Sequence, residues 1–423
     1  MPNPMPTPSA PAPPDSAAAV QRRTLVVLSI AQVIGTIGIG VAPSIGVLLA
    51  GQITENEAWA GLARSLSTLG AALVGLPLGS FAARHGRRWA LAIGWWLASA
   101  GAVLVAVAAQ WMLPIPLFAG LLLVGTGSAA GLQSRFAATD LADPRRRGRA
   151  LGIVVWVGTL GSVLGPNLGI PGQVLGTATG LTLYAGAFLI AAACLALAGL
   201  IVFSFLRPDP LLLLNHTPDT RAVSATPPRR RFGRILAAVT EIRANQRAQT
   251  ATLAILSAQV VMVAIMTMTP VQLNHHGGSI AIIGITISLH VVGMYALAPL
   301  VGIGTDSIGS RGIIGIGIGV LLVSLVISTM WPANTAAIMV ALTLLGLGWS
   351  FVNVAASALF SAAVSDKARA SAQGGVDALA NLCGALAAFA AGPLLIATSF
   401  SVLSVLAMLL LVPLTVRIVL HAV

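Results

Sequence analysis

Charged residues are scarce in this sequence. Only 8% of its 423 residues are charged, whereas 57% are hydrophobic, and the mean hydropathy is +0.94. So little charge excludes an ordinary water-soluble globular protein. A bilayer core about 30 Å thick needs about 20 apolar residues for each helical span, and long apolar runs recur from residue 23 to residue 417. Because the runs are continuous and not alternating, they predict helices and exclude the strands of a membrane barrel. The length fits twelve spans.

Residues that carry catalytic or metal chemistry are also scarce. The two cysteines, Cys194 and Cys383, lie inside predicted spans, where a small apolar side chain is the ordinary explanation. They predict neither a disulfide nor a metal site. The sequence shows no HExxH motif and no recognisable pair of nucleophile and base. We therefore predict that the protein is not an enzyme and uses no metal or other cofactor.

The few basic residues lie in every second gap between apolar runs. A net charge of +12 can indicate nucleic-acid binding, but this placement excludes it. The basic gaps are 22–23, 84–88, 145–149, 207–247, Arg311, 367–369 and Arg417. The alternate gaps contain no Lys or Arg and carry residues such as Glu55, Glu57 and Trp111. This positive-inside pattern predicts cytoplasmic termini and an even number of spans. We expect a multi-pass protein of a bacterial plasma (inner) membrane, in contact with lipid.

Landmarks of the first half recur about 220 residues later in the second half, which predicts an internal duplication. Each half has a basic turn, bounded by glycines, between its second and third predicted helices. The matched positions are Gly79, Gly86, Arg87 and Arg88 in the first turn, and Gly302, Asp306, Gly309 and Arg311 in the second. Interfacial tryptophans, Trp111 and Trp331, repeat in the same way. The duplication predicts two homologous bundles of six helices.

The duplication also sets the predicted domain boundaries. A disordered cytoplasmic tail, rich in Pro and Ala and without a cleavable signal, covers 1–22. The two bundles cover 23–206 and 249–423, and a cytoplasmic loop, 207–248, joins them. An amphipathic part of this loop, 232–248, is expected to lie on anionic lipid. Duplicated bundles place a solute site at the seam between them, near the bilayer midplane, and move around it by alternating access.

These residues resemble the major facilitator superfamily of transporters, from Arg23 to the end of the chain. The basic turn of that superfamily is intact at 302–311. In the first turn its acidic position is occupied by Ala83, so the partner of the arginines must lie elsewhere, and Asp140 is the candidate. The resemblance implies an all-α membrane protein of twelve helices. It also implies a monomer that moves a small-molecule substrate.

The fifth predicted helix is similar to a motif of the drug/proton antiporters of this superfamily. The matched positions are Gly152, Gly161, Gly165, Pro166 and Gly169. Only the last position of the motif differs, because Ile170 stands where the motif has a glycine. Such glycines form a bare helix face on which another helix can pack closely, and the proline bends the helix end. Tight packing alone can also explain this face. The fourth helix departs from the antiporter pattern, because Leu121 stands where that pattern has an arginine.

Two ionisable residues inside predicted spans are candidates for proton coupling. Asp377 lies on one face of the eleventh helix with Gly374 and Asn381, at helical spacing. A carboxylate within a span is costly and is a functional candidate by default, although Asp377 could instead pair with Lys367 or Arg369. The second candidate is His290, because histidine titrates near neutral pH. Its alternative role is that of a neutral, hydrogen-bonded residue inside the bundle.

Other polar or flexible side chains are candidates for lining the substrate cavity. They are Gln32, Arg64, Gln259, Met262, Met266, Asn353 and Asn381. Arg64 could bind an anionic group of the substrate or could reach towards Glu55 or Glu57. The methionines suit varied apolar ligands, but such a stripe is also typical of a core. Arg135 is expected to act as a gate or to pair with Asp140.

We therefore predict a proton-driven exporter of small amphipathic or apolar compounds, with the proton gradient as its energy source. The fifth-helix motif and the scarcity of fixed charge in the spans favour this function. The alternative is an uptake symporter or uniporter for a small metabolite, which would need a more polar, charge-specific cavity. An intramembrane enzyme or a non-transporting sensor would need a catalytic cluster or an added domain, and neither is recognisable in the sequence.

Overall fold

The computed structural model describes residues 14–143, 147–216, 242–243 and 245–420. Within those ranges the regular structure is helical, and twelve helices are long and apolar enough to cross a membrane. This confirms the predicted number of spans. The protein is therefore a multi-pass membrane protein whose backbone polar groups are satisfied inside each helix.

The first six spans form the N-terminal bundle. They are α1 (Ala18–Thr54), α2 (Ala58–His85), α3 (Arg87–Trp111), α4 (Pro114–Ala137), α5 (Arg149–Thr179) and α6 (Leu183–Leu213). The second six form the C-terminal bundle. They are α7 (Gln246–His275), α8 (Ile280–Ile308), α9 (Ser310–Met330), α10 (Thr335–Ala363), α11 (Ala372–Ala397) and α12 (Phe400–Leu420).

Each bundle has its own buried apolar cluster, and the two clusters follow the two halves of the chain closely. The largest fully buried side chains of the N-terminal cluster are Trp95 and Phe188, and Phe360 belongs to the C-terminal cluster. The outer faces of the helices carry exposed leucine, isoleucine and valine, as expected for surfaces that contact lipid tails. The predicted duplication thus corresponds to two packed helical units.

The observed helix ends differ from the predicted boundaries at three places. The α-helix that carries the start of α1 begins earlier than the span itself, at Pro14 within the predicted tail, because an alanine-rich segment, 17–19, extends it. Within α6 the first helical stretch ends at Phe205 and a short helix, Pro210–His216, begins after it, and α7 already starts at Gln246. Residues 1–13, and most of the predicted amphipathic stretch 232–248, lie outside the described residues.

Short connections gather at the two ends of the molecule. One end, which we call the Glu57 end, contains the turns after α1, α3, α5, α7, α9 and α11. There the backbone N–H of Thr182 donates to Oε1 of Gln110 at 2.9 Å, and Gln272 donates to the carbonyl of Pro332 at 2.8 Å. The opposite end, which we call the Arg87 end, contains the basic turns after α2 and α8.

The two bundles meet through α2 packed along α11 and α5 packed on α8. The closest approaches lie near the Glu57 end. The Ser65 hydroxyl donates to the carbonyl of Ala385 at 2.6 Å, and Asn167 donates to the Ser288 hydroxyl at 2.7 Å. Ser288 in turn donates to the carbonyl of Val163 at 2.6 Å. These contacts close the seam at this end.

Candidate functional site

The seam between the bundles opens along α11. Near the Glu57 end, one face of this helix packs on α2. There Gly392 of α11 lies against the carbonyl of Ala58, and Ala388 of α11 lies against Gly61. Two turns further along the same face, Asn381 and Asp377 are exposed, and Gly374 has no atom within 4 Å of its missing Cβ. The two helices therefore diverge towards the Arg87 end and leave a polar face uncovered.

Asp377 faces Arg135 across this opening. Arg135, on α4, interacts electrostatically with Asp377, although the described residues show no hydrogen bond or ion pair between the two. The Nε atom of Arg135 is buried and has no hydrogen-bond partner. The Asp377 carboxylate likewise has no partner among the described residues, while the side chains of Lys367 and Arg369 lie outside them. Among the described residues, a carboxylate and a guanidinium thus stand opposite each other in the seam without a hydrogen bond between them.

A second arginine lies further towards the Glu57 end. Arg64, on α2, is half-buried, and its guanidinium makes no hydrogen bond or ion pair with Glu55, Glu57 or any other described residue. It interacts electrostatically with Tyr295 and His290 on α8, which belongs to the other bundle. Arg64 therefore points into the seam and not towards the carboxylates at the Glu57 end.

An aromatic pair lies in the C-terminal bundle, and one of its rings interacts with both arginines. Tyr295 and Trp349, on α8 and α10, are half-buried, and their ring centroids are 6.2 Å apart at an interplanar angle of 73°. The indole N–H of Trp349 donates to Oε1 of Gln259 on α7 at 3.0 Å, which fixes the ring. Both Arg64 and Arg135 interact electrostatically with Tyr295. Gln259, predicted to line the cavity, thus acts as the anchor of an aromatic surface.

His290 lies inside the C-terminal bundle. It is fully buried, and its Nδ1 is 2.8 Å from the carbonyl oxygen of Leu342 on α10, while Nε2 has no partner. This carbonyl can only accept a hydrogen bond, so Nδ1 carries a proton. The position matches the alternative role considered above, that of a hydrogen-bonded residue inside the bundle.

The remaining cavity candidates are buried or half-buried. Gln32 is 4% exposed and sits against two glycines, Gly131 on α4 and Gly158 on α5. Met262 and Met266 belong to the C-terminal apolar cluster, and Asn353 is half-buried on α10. The described structure therefore brings together Asp377, Asn381, Arg64 and Gln259 from the predicted set.

The fifth-helix glycines allow close contacts on two sides. Gly161 lies against the hydroxyl of Thr36 on α1, and Gly165 lies against the Cα of Gly40 on the same helix. Neither glycine position has room for a Cβ. Gly169 faces Ile280 on α8, in the other bundle. The α-helix is interrupted at Gly165–Leu168, where Pro166 gives one turn of 3₁₀-helix. The glycines of the motif thus allow α1 to pack closely on α5. Gly152 does not take part in this packing, because no atom lies within 4 Å of its missing Cβ.

The first basic turn obtains its acidic partner from the segment that follows α4. Arg87 donates from Nε to Oδ2 of Asp140 at 2.8 Å and from Nη2 to Oδ1 at 3.2 Å, and its Nη1 reaches Gln133 at 2.8 Å. Gly79 leaves room for Gln133, whose side-chain nitrogen is 3.1 Å from the missing Cβ. The prediction that Asp140 replaces the acid absent at Ala83 is confirmed. Asp140 is therefore not the partner of Arg135.

This pair gives a prediction about stability. Replacing Arg87 with glutamine leaves the Asp140 carboxylate, only 11% exposed, without its partner. We expect the free energy of unfolding to fall by about 1–3 kcal/mol, which a thermal unfolding scan of the purified protein will measure. Arg84→Gln is the matched control, because Arg84 is exposed in the same basic turn, at the end of α2. Equal losses in the two variants would contradict a special role for this ion pair.

The two basic turns share a backbone conformation that only glycine adopts readily. Gly86 has φ +89° and Gly309 has φ +87°, and each ends one helix and precedes the next. Arg311 donates to the carbonyls of Ile418 at 2.8 Å and Val419 at 3.1 Å. It thereby caps the end of α12. The duplicated turns thus repeat in geometry as well as in sequence.

Sequence reasoning missed a contact between ionisable side chains of the two bundles. His275, at the end of α7, forms a close contact through Nε2 with Oε1 of Glu57, which lies just before α2. Both side chains are partly exposed. Because successive connections between spans alternate between the two sides of the membrane, the sequence places both residues at the same end of the molecule. The spacing of the residues along the chain does not predict that they contact each other. Sequence reasoning missed the ring pair Tyr295 and Trp349 for the same reason.

The comparisons agree with this architecture. Residues 28–277 match the family model described as Major Facilitator Superfamily. Similar proteins include two of Bacillus subtilis, the uncharacterized MFS-type transporters YdeG (37% identical, covering 95% of this chain and 93% of the relative) and YddS (33%, 93% and 90%). The riboflavin transporter RfnT of Brucella anthropi is 30% identical, with 95% of this chain and 97% of the relative covered.

Solved structures show the same fold. The nucleoside transporter NupG superimposes with a TM-score of 0.66 at 18% identity, covering 94% of this chain and 98% of that chain. A bacterial homolog to the human lysosomal transporter Spinster gives a TM-score of 0.66 at 16% identity, with 96% and 95% covered. At such identities the likeness concerns the fold alone. The family match and the relatives that cover nearly the whole chain settle membership: this chain belongs to the major facilitator superfamily of transporters.

Proposed function

We propose that this protein is a proton-coupled secondary transporter that exports small amphipathic organic compounds by alternating access. The observation that carries the proposal is the geometry of the seam, which is closed at the Glu57 end and open at the other end, around an exposed Asp377. Such a seam admits a solute from one side only. Protonation of Asp377 would remove its charge and so alter its interaction with Arg135 across the opening.

In this scheme the two ends of the seam close in turn. In the observed state Glu57 and His275 link the bundles at one end. Rotation of the bundles would separate that pair and bring Arg135 onto Asp377 at the other end. A proton on Asp377 weakens this second link, because a neutral carboxyl attracts a guanidinium less than a carboxylate does. Proton binding and seam opening would thus be coupled.

We propose a bacterial inner membrane as the location, with both termini in the cytoplasm, on the positive-inside distribution of Arg and Lys. The Arg87 end then faces the cytoplasm, and the observed seam opens inward. Tags at Gly51 and at Ala225 should be reachable from opposite sides of the membrane. Labelling of both from the same side would refute this orientation.

Uptake of a small metabolite is the second candidate, and the polar seam favours it. Arg64, Arg135 and Gln259 give the seam more fixed polarity than an exporter of purely apolar compounds needs. The similarity to a riboflavin transporter makes riboflavin the first compound to test. Expression in an efflux-deficient host, followed by a tolerance screen and whole-cell accumulation assays, separates the two. Lower accumulation than in the empty host supports export, and higher accumulation supports uptake.

Alternating access predicts that linking the bundles at the Glu57 end stops transport. The test variant carries Glu57→Cys and His275→Cys, with Cys194 and Cys383 replaced by serine. A short bifunctional thiosulfonate should abolish transport in proteoliposomes, and a reductant should restore it.

The matched control links two positions at the same end within one bundle. This control carries Gln110→Cys and Thr182→Cys, because these two residues already contact each other within the N-terminal bundle. Their link should leave transport intact. Full activity in the linked Glu57/His275 variant would refute movement of the bundles at this end.

A further inference from the structure

We infer that the seam binds an organic anion with a planar aromatic ring, whose acidic group lies at Arg64 and whose ring lies on Trp349. This inference rests on the proposed transport function and specifies its substrate class. Three properties of the seam support it, namely its charge, its aromatic surface and the cost of an unpaired cation.

Between its two ends, the described seam carries more positive than negative side chains. Two arginines, Arg64 and Arg135, interact electrostatically with the same tyrosine, Tyr295, and the seam carboxylate that faces them is Asp377. Asp377 lies opposite Arg135, towards the Arg87 end. The described neighbours of Arg64 across the seam are Tyr295 and His290, and neither of them is a carboxylate. An anion is therefore the complementary partner at Arg64, and a guanidinium binds carboxylates with two parallel hydrogen bonds.

The aromatic surface is held in place before any ligand arrives. The indole N–H of Trp349 is already used by Gln259, at 3.0 Å, so the ring offers its face and not its donor. Tyr295 packs against it at 6.2 Å between centroids and is also the residue that both arginines approach. A fixed aromatic face next to a cation suits a planar ring that carries an acidic substituent.

An unpaired cation within a span is costly, and Arg64 makes no hydrogen bond or ion pair with any described residue in the state observed. A carboxylate substrate would supply that partner during the transport cycle. Export also suits an anion, because an interior-negative membrane potential drives negative charge outward. The inferred substrate class and the proposed direction are thus electrically consistent.

Equilibrium binding to the purified protein in neutral detergent tests the inference without requiring transport. The probes are 2-naphthoate, its uncharged analogue 2-naphthamide, and the saturated acid decalin-2-carboxylate, each measured by calorimetry against empty micelles. We expect 2-naphthoate to bind at least about tenfold more tightly than either analogue. Equal binding of acid and amide, equal binding of the aromatic and saturated acids, or no binding of any probe would overturn the inference.

Two sets of variants assign the preference to residues. Arg64→Gln should remove the preference for acid over amide, and Arg64→Lys should keep most of it. Trp349→Leu should remove the preference for the aromatic ring. A preference for acid that survives Arg64→Gln, in protein that elutes as a single peak on gel filtration, would show that another group binds the anion. Failure of proton coupling at Asp377 would leave these affinities unchanged, so the two proposals fail separately.

Discussion

Replacing Asp377 with asparagine should abolish transport driven by a pH gradient. Asparagine has nearly the same shape as aspartic acid but cannot take up or release a proton. The transported compound in this assay is the one whose accumulation the wild-type protein changes most in cells. We expect the rate in proteoliposomes under an imposed gradient to fall by about 100-fold, the scale of losing a positioned proton-transfer group.

The same variant should still exchange substrate. Exchange of labelled for unlabelled compound at equal pH needs the seam to open and close but needs no net proton movement. Because asparagine resembles the protonated carboxyl, Asp377→Asn should retain exchange at a rate comparable to the wild type. A variant that loses driven transport and keeps exchange has lost coupling and not folding.

Two substitutions control this experiment. Asp377→Glu keeps a titratable group at the exposed position and should retain driven transport. Glu55→Gln removes a carboxylate at the Glu57 end, away from the open part of the seam, and should have little effect. Driven transport that persists unchanged in Asp377→Asn would exclude Asp377 as the coupling group.

Much of the fold could be predicted from the sequence because membrane helices obey simple rules. Apolar runs of sufficient length fixed the number of spans, and the repeated glycine turns at Gly86 and Gly309 predicted the two bundles. Even the compensating ion pair of Arg87 with Asp140 could be anticipated, since the arginine needed an acidic partner and Ala83 could not supply one. These inferences depend on local pattern and on position along the chain.

The composition of the site could be predicted only in part. The face of α11 that carries Asp377 and Asn381 follows from helical spacing, which is a local property. Trp349 and Tyr295 meet only because α8 and α10 pack together, and a single aromatic residue in a span resembles any lipid-facing or core residue. The methionine stripe stays a prediction for the opposite reason, since a buried stripe such as Met262 and Met266 has the same spacing whether a cavity or another helix lies beside it.

The contact between α2 and α11 also escapes sequence reasoning, and it leads to the second large effect. Gly61 lies against the backbone carbonyl of Ala388, in a space where a Cβ would overlap the oxygen. Because the obstacle is backbone, no side chain can turn aside to relieve it. Gly61→Val should therefore prevent closure at the Glu57 end and disfavour the observed state.

Overpacking of this kind costs about 1–3 kcal/mol, which corresponds to a shift of roughly 5- to 150-fold in the ratio of the two seam states. Single cysteines on a background lacking Cys194 and Cys383 measure the shift in purified protein. Gly61→Val should slow maleimide labelling of Gly374→Cys, which is exposed in the open part of the seam, and speed labelling of Ser65→Cys, which is held in the closed part.

Gly75→Val provides the matched control on the same helix, because no atom lies within 4 Å of the missing Cβ of Gly75. It adds the same side chain and the same helix propensity, so general destabilisation of α2 would affect both variants alike. A seam that alternates requires the two labelling rates to change in opposite directions in Gly61→Val alone. If both labelling rates rose together, the valine would have loosened the protein as a whole. Gly61 would then be needed for helix packing and not for the alternation between the two seam states.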